Sequence, residues 1–200
     1  MTIYKIYPKG FASNCYFVTA DGKHAVAIDP AQPRVLEEAE RRGLLVDYVL
    51  LTHGHFDHVC GCAVLQKAGA KVGCLAAEKQ IALSNANMGA AFGVHVPPFM
   101  VDFTFEDGEV LELCGLKFEV IATPGHTAGS CCYLAENALF TGDTLFAEEV
   151  GRTDLPTGSG AELKRSLKKL AALEGDYHIY AGHGEDSTLD AERAHNVYLK

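Results

Sequence analysis

Leu51-Thr52-His53-Gly54-His55-Phe56-Asp57-His58 places three imidazoles and a carboxylate within six positions. The apolar run Tyr48-Val49-Leu50-Leu51 leads into it and reads as a buried strand over residues 46–51, which delivers the motif to the end of a sheet. Side chains two apart in extended chain share a face, so His53 and His55 can address one centre across Gly54. Asp57 and His58 lie past Phe56, where the chain has begun to turn, and are free to address a second centre. Imidazole and carboxylate suit zinc, iron or manganese, and a motif without thiolate argues against a closed structural zinc site.

Three further residues share that setting. His126, in Thr123-Pro124-Gly125-His126-Thr127, Asp143, in Thr141-Gly142-Asp143, and His183, in Gly182-His183-Gly184, each follow an apolar strand and adjoin a glycine. Together with His53, His55, Asp57 and His58 they make five histidines and two aspartates, the number expected for two cations sharing one bridging carboxylate. His24, His178 and His195 lack the setting and read as structural, and His95 as a loop residue in 87–100, a segment that could border a substrate cleft. Cys60 and Cys62 flank Gly61 and read as packing residues.

The surrounding pattern alternates strands and helices. Strands are expected at 3–7, 14–19 and 24–28, the last two joined by an Asp21-Gly22 turn, with Asp29-Pro30 ending the third. A helix over 34–42 precedes the motif strand; helices over 59–68 and 76–85 flank a strand at 71–75. Strands at 101–105, 109–113, 116–121, 130–134 and 138–140 follow. Residues 160–173 form an amphipathic helix, Leu163, Leu167 and Leu170 opposite a solvated face of Lys164, Arg165, Lys168 and Lys169. A strand at 177–180 and a helix at 189–199 close the chain. Two such halves, each a sheet covered on its outer face, would pack sheet to sheet as an α/β four-layer αββα sandwich in one domain spanning residues 1–200.

Composition excludes several classes. A formal net charge of −9, with no basic run, disfavours nucleic acid as a partner. No stretch reaches membrane-spanning length. Seven cysteines, an odd number without a CxxC pair, and a start that goes straight into a strand fit free thiols in the cytoplasm.

The four motifs Thr52-His53-Gly54-His55-Phe56-Asp57-His58, Pro124-Gly125-His126-Thr127, Thr141-Gly142-Asp143-Thr144 and Gly182-His183-Gly184 resemble the metallo-β-lactamase superfamily over essentially the whole chain. Within it, Gly142-Asp143-Thr144-Leu145-Phe146 and Gly151-Arg152-Thr153-Asp154 are similar to the glyoxalase II (hydroxyacylglutathione hydrolase) group, in a short form without the C-terminal helical domain. The resemblance implies the metallo-β-lactamase fold and two divalent metal ions, zinc with iron or manganese as alternatives. His53, His55 and His126 would hold the first, Asp57, His58 and His183 the second, and Asp143 would bridge. It implies a hydrolase for a small-molecule substrate such as the glutathione thioester S-D-lactoylglutathione, with Asp57 also orienting the nucleophile. Arg152 would contact the glutathione portion, unless it is a surface residue paired with Asp154 or Glu149. The same fold also hosts mononuclear iron persulfide dioxygenases, which would use His53, His126 and Asp143, as well as lactonases and β-lactamases.

Overall fold

The computed structural model describes residues 1–200. Strict alternation in the strands decides how the layers stack. In β4 (Leu45–Leu51), Leu50 faces one way while Val49 and Leu51 face the other, and all three are buried. The first sheet runs β1 (Thr2–Ile6), β2 (Cys15–Thr19), β3 (His24–Ile28), β4, β5 (Lys71–Leu75), β6 (Phe103–Phe105), in sequence order. β1 to β3 pair antiparallel and β3 to β6 parallel, so the parallel crossovers carry the helices. These are α1 (Val35–Glu40), α2 (Phe56–Val59), α3 (Cys62–Lys67) and α4 (Lys79–Ala82).

The second sheet contains β7 (Val110–Leu113), β8 (Leu116–Ala122), β9 (Cys131–Ala135), β10 (Ala138–Gly142), β11 (His178–Ala181) and the two-residue β12 (Ser187–Thr188), ordered β12-β11-β10-β9-β8-β7. Its one parallel pair, β10 with β11, is bridged by α5 (Gly160–Ala171), and α6 (Leu189–His195) follows β12. Tyr16, Val26, Ile28 and Leu50 from one sheet meet Phe118, Val120, Tyr133 and Phe140 from the other to form the middle of the sandwich. On one outer face Val35, Ala39, Val59 and Leu65 cover Ala25, Ala27, Val49 and Val72. On the other, Leu163, Leu167, Leu170 and Leu189 cover Cys132, Leu139 and Ile179. The four-layer αββα sandwich expected from the sequence is the fold.

Three expected helices are broken or cut short by particular contacts. The helix over 59–68 starts earlier, inside the motif, and breaks at Gly61 into α2 and α3. There the Gly61 N–H donates to Pro30 O at 2.6 Å, and a Cβ on Gly61 would lie 2.6 Å from that oxygen. The helix over 76–85 is a 3-10 turn at Ala76–Glu78, then α4, then a second 3-10 turn at Asn85–Asn87, because Glu78 is drawn inward. The closing helix stops at His195, where the Asn196 side chain accepts from the Tyr198 N–H and starts a new turn. α5 matches its pattern, with the Ser159 hydroxyl accepting from the Glu162 N–H at its start. No helix is long and apolar enough to cross a membrane. All seven cysteines are free.

Candidate metal centre

The seven expected side chains gather at one end of the sandwich. β4 delivers His53 and His55, and the first turn of α2 carries Asp57 and His58. His126 lies in the β8–β9 loop, Asp143 directly after β10, and His183 two residues past β11. The sheets meet here: the Cys131 N–H donates to Thr52 O at 2.9 Å, joining β9 to the end of β4. Possible ligand atoms of His53, His55 and His126 lie within 4.8 Å of one another, as do those of Asp57, His58 and His183 and those of His53, His58 and Asp143. The first two groups are the two centres implied by the resemblance. The third places Asp143 between them.

This donor set fits cations. Nε2 of His53, His55 and His58 and Oδ1 of Asp143 are buried without any hydrogen-bond partner in the protein. Orphaned buried polar atoms are costly, and those of His53, His58 and Asp143, which form one of the three groups, need a common partner. Asp143 carboxylate oxygens lie 3.3 Å from His58 Nε2, 3.6 Å from His126 Nε2 and 3.7 Å from His183 Nε2. His183 Nε2 is 3.3 Å from Asp57 Oδ2, and His55 Nδ1 is 2.8 Å from His126 Nε2.

Hydrogen bonds on the far side of each ring set which nitrogen faces inward. Asp29 Oδ2 lies 2.9 Å from His58 Nδ1, so that nitrogen carries the proton and Nε2 offers its lone pair. The Arg152 carbonyl does the same for His126, accepting from Nδ1 at 2.7 Å. The Thr52 hydroxyl donates to Asp29 Oδ2 at 2.6 Å, which leaves its oxygen to accept from His53 Nδ1 at 3.2 Å. Asp29 Oδ1 takes the Thr52 N–H at 2.8 Å, so one buried carboxylate positions two of the rings.

Charge follows the same logic. Burial, then the neighbouring imidazoles, hold the His53 ring well below its ordinary pKa and bring His55 to about 4, so both are neutral donors. Burial disfavours the Asp143 carboxylate, but His58, His126 and His183 outweigh it and hold the group below the usual carboxylate range. Asp57 is held low against burial by its hydrogen bond to His183 and by His58. His58 goes the other way: against burial, Asp143 and Asp29 hold its pKa above the ordinary value, so a divalent cation there would displace its proton to meet neutral imidazoles and ionised carboxylates.

Two residues with structural leverage on the site were missed by the sequence reading. Asp29 reads from sequence as the end of a strand, and Glu78 only as one residue of the helix over 76–85. Glu78 is fully buried: Oε1 accepts the Gly54 N–H at 2.7 Å, and Oε2 accepts the Gly129 N–H at 3.0 Å and the Thr127 hydroxyl at 2.8 Å. It ties the His53–His55 loop to the loop after His126. Burial pushes its carboxyl up to about 7, against the pull of those donors. A signal existed in both cases, an acidic residue beside an apolar strand end. The partner it would meet was not readable locally.

Gly142 shows how tight the site is. It sits at φ +49° and a Cβ there would collide with the Thr52 side chain. Gly142→Ala is therefore expected to destabilise the protein by about 2–4 kcal/mol, from left-handed strain plus overpacking. Urea denaturation of metal-free protein measures it.

His24 pairs with Asp47 at 2.7 Å, and Cys62 is buried in the helix-covered face of the first sheet. His95 lies outside the cluster, in a side cavity of about 290 Å³ that Cys60 also lines. Arg152 forms a bidentate pair with Asp154, Nε to Oδ1 at 2.6 Å and Nη2 to Oδ2 at 2.7 Å. It also lines a cleft of about 560 Å³ whose floor includes His55, Asp57, His126, Asp143 and His183. The loop that could border a cleft does so through Met88 and Phe92.

Such a sandwich, with paired His/Asp groups at the strand ends, defines a metallo-hydrolase. The chain belongs to the metallo-β-lactamase superfamily, whose model matches residues 8–183. Among relatives, it is 36% identical to the hydroxyacylglutathione hydrolase GloC of Haemophilus influenzae, over 100% of this chain and 98% of that protein. Among solved structures, it is similar to the BLEG-1 B3 metallo-β-lactamase, with TM-score 0.89, 30% identity and 99% of each chain covered. It is also similar to a protein solved in a di-iron-bound form, with TM-score 0.87, 32% identity and 98% and 99% covered. That last likeness shows that the fold does not by itself dictate zinc.

Proposed function

We propose that the chain is a dinuclear metal-dependent thioester hydrolase, cleaving glutathione thioesters, S-D-lactoylglutathione among them. The observation that carries this is the convergence of seven donors in two groups, with Asp143 between them, on the floor of the cleft. The GloC relative, by its name, supports the glutathione thioester.

His53, His55 and His126 would hold one cation, Asp57, His58 and His183 the other, and Asp143 would touch both. Bound there, divalent cations supply Lewis acidity: they lower the pKa of water to about 7 and polarise a carbonyl oxygen. The protein's own part is orientation. Asp29, Thr52 and the Arg152 carbonyl lock three rings so that no ring must turn during the reaction. Asp57, half-buried at the cleft floor, presents a carboxylate that can accept a hydrogen bond from the attacking water and fix its direction. A thioester suits this arrangement because a thiolate departs without a general acid, and no nucleophilic Ser or Cys is needed. Arg152, held by Asp154, would offer its remaining N–H groups to carbonyl or carboxylate oxygens of the thiol portion.

The test is metal quantification on protein purified without chelator, followed by S-D-lactoylglutathione hydrolysis. Two metals per chain with thioester cleavage is the expected result. One iron per chain, with oxygen consumed on glutathione persulfide and no thioester cleavage, would replace this reading with the dioxygenase.

A further inference from the structure

The walls of the cleft are chemically unlike its floor. Phe11, on the loop between β1 and β2, is 84% exposed, and Phe92, on the segment between α4 and β6, is 53% exposed; both line the cleft. Phe92 stacks on the buried Phe56 with ring centroids 5.3 Å apart, so it is anchored while one face stays open. Phe56 lies between His55 and Asp57 in the chain, which brings this ring pair directly beside the donors. On the opposite flank Phe146 meets the His183 ring edge-on at 6.2 Å.

The backbone that carries Phe92 is built for this display. Met88, another cleft residue, sits at φ +67°, a left-handed conformation uncommon for a side chain of its size. The Asn87 side chain holds that turn by accepting the Gly89 N–H at 2.9 Å. Large apolar side chains left open around one concave site mark a ligand surface.

Charge on the wall points the same way. Arg152 is the one Lys or Arg that lines the cleft, and Asp154 meets its charge. The walls therefore offer apolar contact and one neutralised ion pair.

We infer that Phe11, Phe56 and Phe92 form an apolar clamp that selects thioesters with a ring-sized apolar group next to the scissile bond over small hydroxyacyl thioesters. The selection rests on the thioester-hydrolase reading and states its substrate class. The clamp acts by burying apolar area, so a ring against Phe92 gains about tenfold or more in kcat/KM over a methyl group.

Two substrate series locate the apolar group. One varies the acyl group on glutathione (acetyl, D-lactoyl, phenylacetyl); the other varies the thiol of acetyl thioesters (ethanethiol, benzyl mercaptan). A rise of about tenfold or more with ring size in either series, reduced several-fold in Phe92→Ala and Phe11→Ala at equal metal content, is the expected result. A flat response in both series, or a preference that both variants retain, overturns the clamp. Calorimetric binding of the non-hydrolysable thioether S-benzylglutathione gives a readout independent of turnover. If no thioester is cleaved but this probe binds and weakens about tenfold in Phe92→Ala, the hydrolase reading fails and the clamp stands. If thioesters are cleaved but the probe binds equally to wild type and both variants, the clamp fails and the hydrolase reading stands.

Discussion

His53→Ala is expected to lower kcat/KM for thioester hydrolysis by roughly 10³-fold or more, equivalent to about 4 kcal/mol of lost transition-state stabilisation. The figure is large because His53 belongs to two of the three ligand groups, the one with His55 and His126 and the one with His58 and Asp143. Its loss takes a donor from the proposed first centre and disturbs the second only through Asp143 and His58, so metal content should fall to about one ion per chain or below. Asp57→Ala makes the contrast. Asp57 belongs only to the group with His58 and His183, so this variant should keep about one metal per chain while still losing most turnover. Stability gives a second readout. Wild-type protein should lose thermal stability when a chelator is added, since an ion at about 1,000 times its Kd contributes about 4 kcal/mol. His53→Ala should lose less thermal stability on chelation than wild type. Wild-type turnover in either variant would remove the metal-centred mechanism.

Some parts of the fold and site are written in short stretches of chain, and these were legible. The apolar run that ends 46–51 gives a strand buried on both faces, which demands cover on both, and the alternation of 116–121 gives a strand with one face in the core. The His53–His58 cluster likewise needs only its own spacing to point at a pair of centres. What escaped depends on residues distant in sequence. Asp29 reaches Thr52 and His58 because β3 and β4 run parallel with Ile28 opposite Leu50, a register no local pattern reveals. The fragmentation of 59–68 and 76–85 has the same origin. Gly61 closes onto Pro30 and Glu78 turns under the ligand loops, and each contact outweighs the helical periodicity around it. The ion pair of Arg152 with Asp154 could be read from two residues' separation. Whether the arginine also faced a cleft could not, because that depends on where Phe11, Phe92 and His183 come to lie.

Glu78→Ala is expected to destabilise the metal-free protein by about 3–5 kcal/mol, among the larger effects available to one substitution. Truncation leaves the Gly54 and Gly129 N–H groups buried without an acceptor, at about 1–3 kcal/mol each before relaxation, while the Thr127 hydroxyl can turn to Ser130 Oγ at 2.7 Å. Water is poorly placed to replace the carboxylate, because α4 presses on the ligand loop: a Cβ on Gly54 would lie 2.5 Å from Ala82 Cα. Glu78→Gln separates support of the fold from support of the ligands. Its amide keeps the shape and one acceptor oxygen. Directed at Gly129 and Thr127, that oxygen turns the NH₂ against the Gly54 N–H, donor to donor. The cost then falls on the loop that spaces His53 from His55, and metal affinity should drop about 10–100-fold even where Glu78→Gln folds well. Competition against a fluorescent chelator, paired with urea denaturation of the metal-free variant, reads the two effects separately. If Glu78→Gln lost stability but bound metal as tightly as wild type, Glu78 would support the fold without setting the ligands. If affinity fell while stability held, the buried carboxylate would be acting on the spacing of the two imidazoles, through a backbone N–H that belongs to neither.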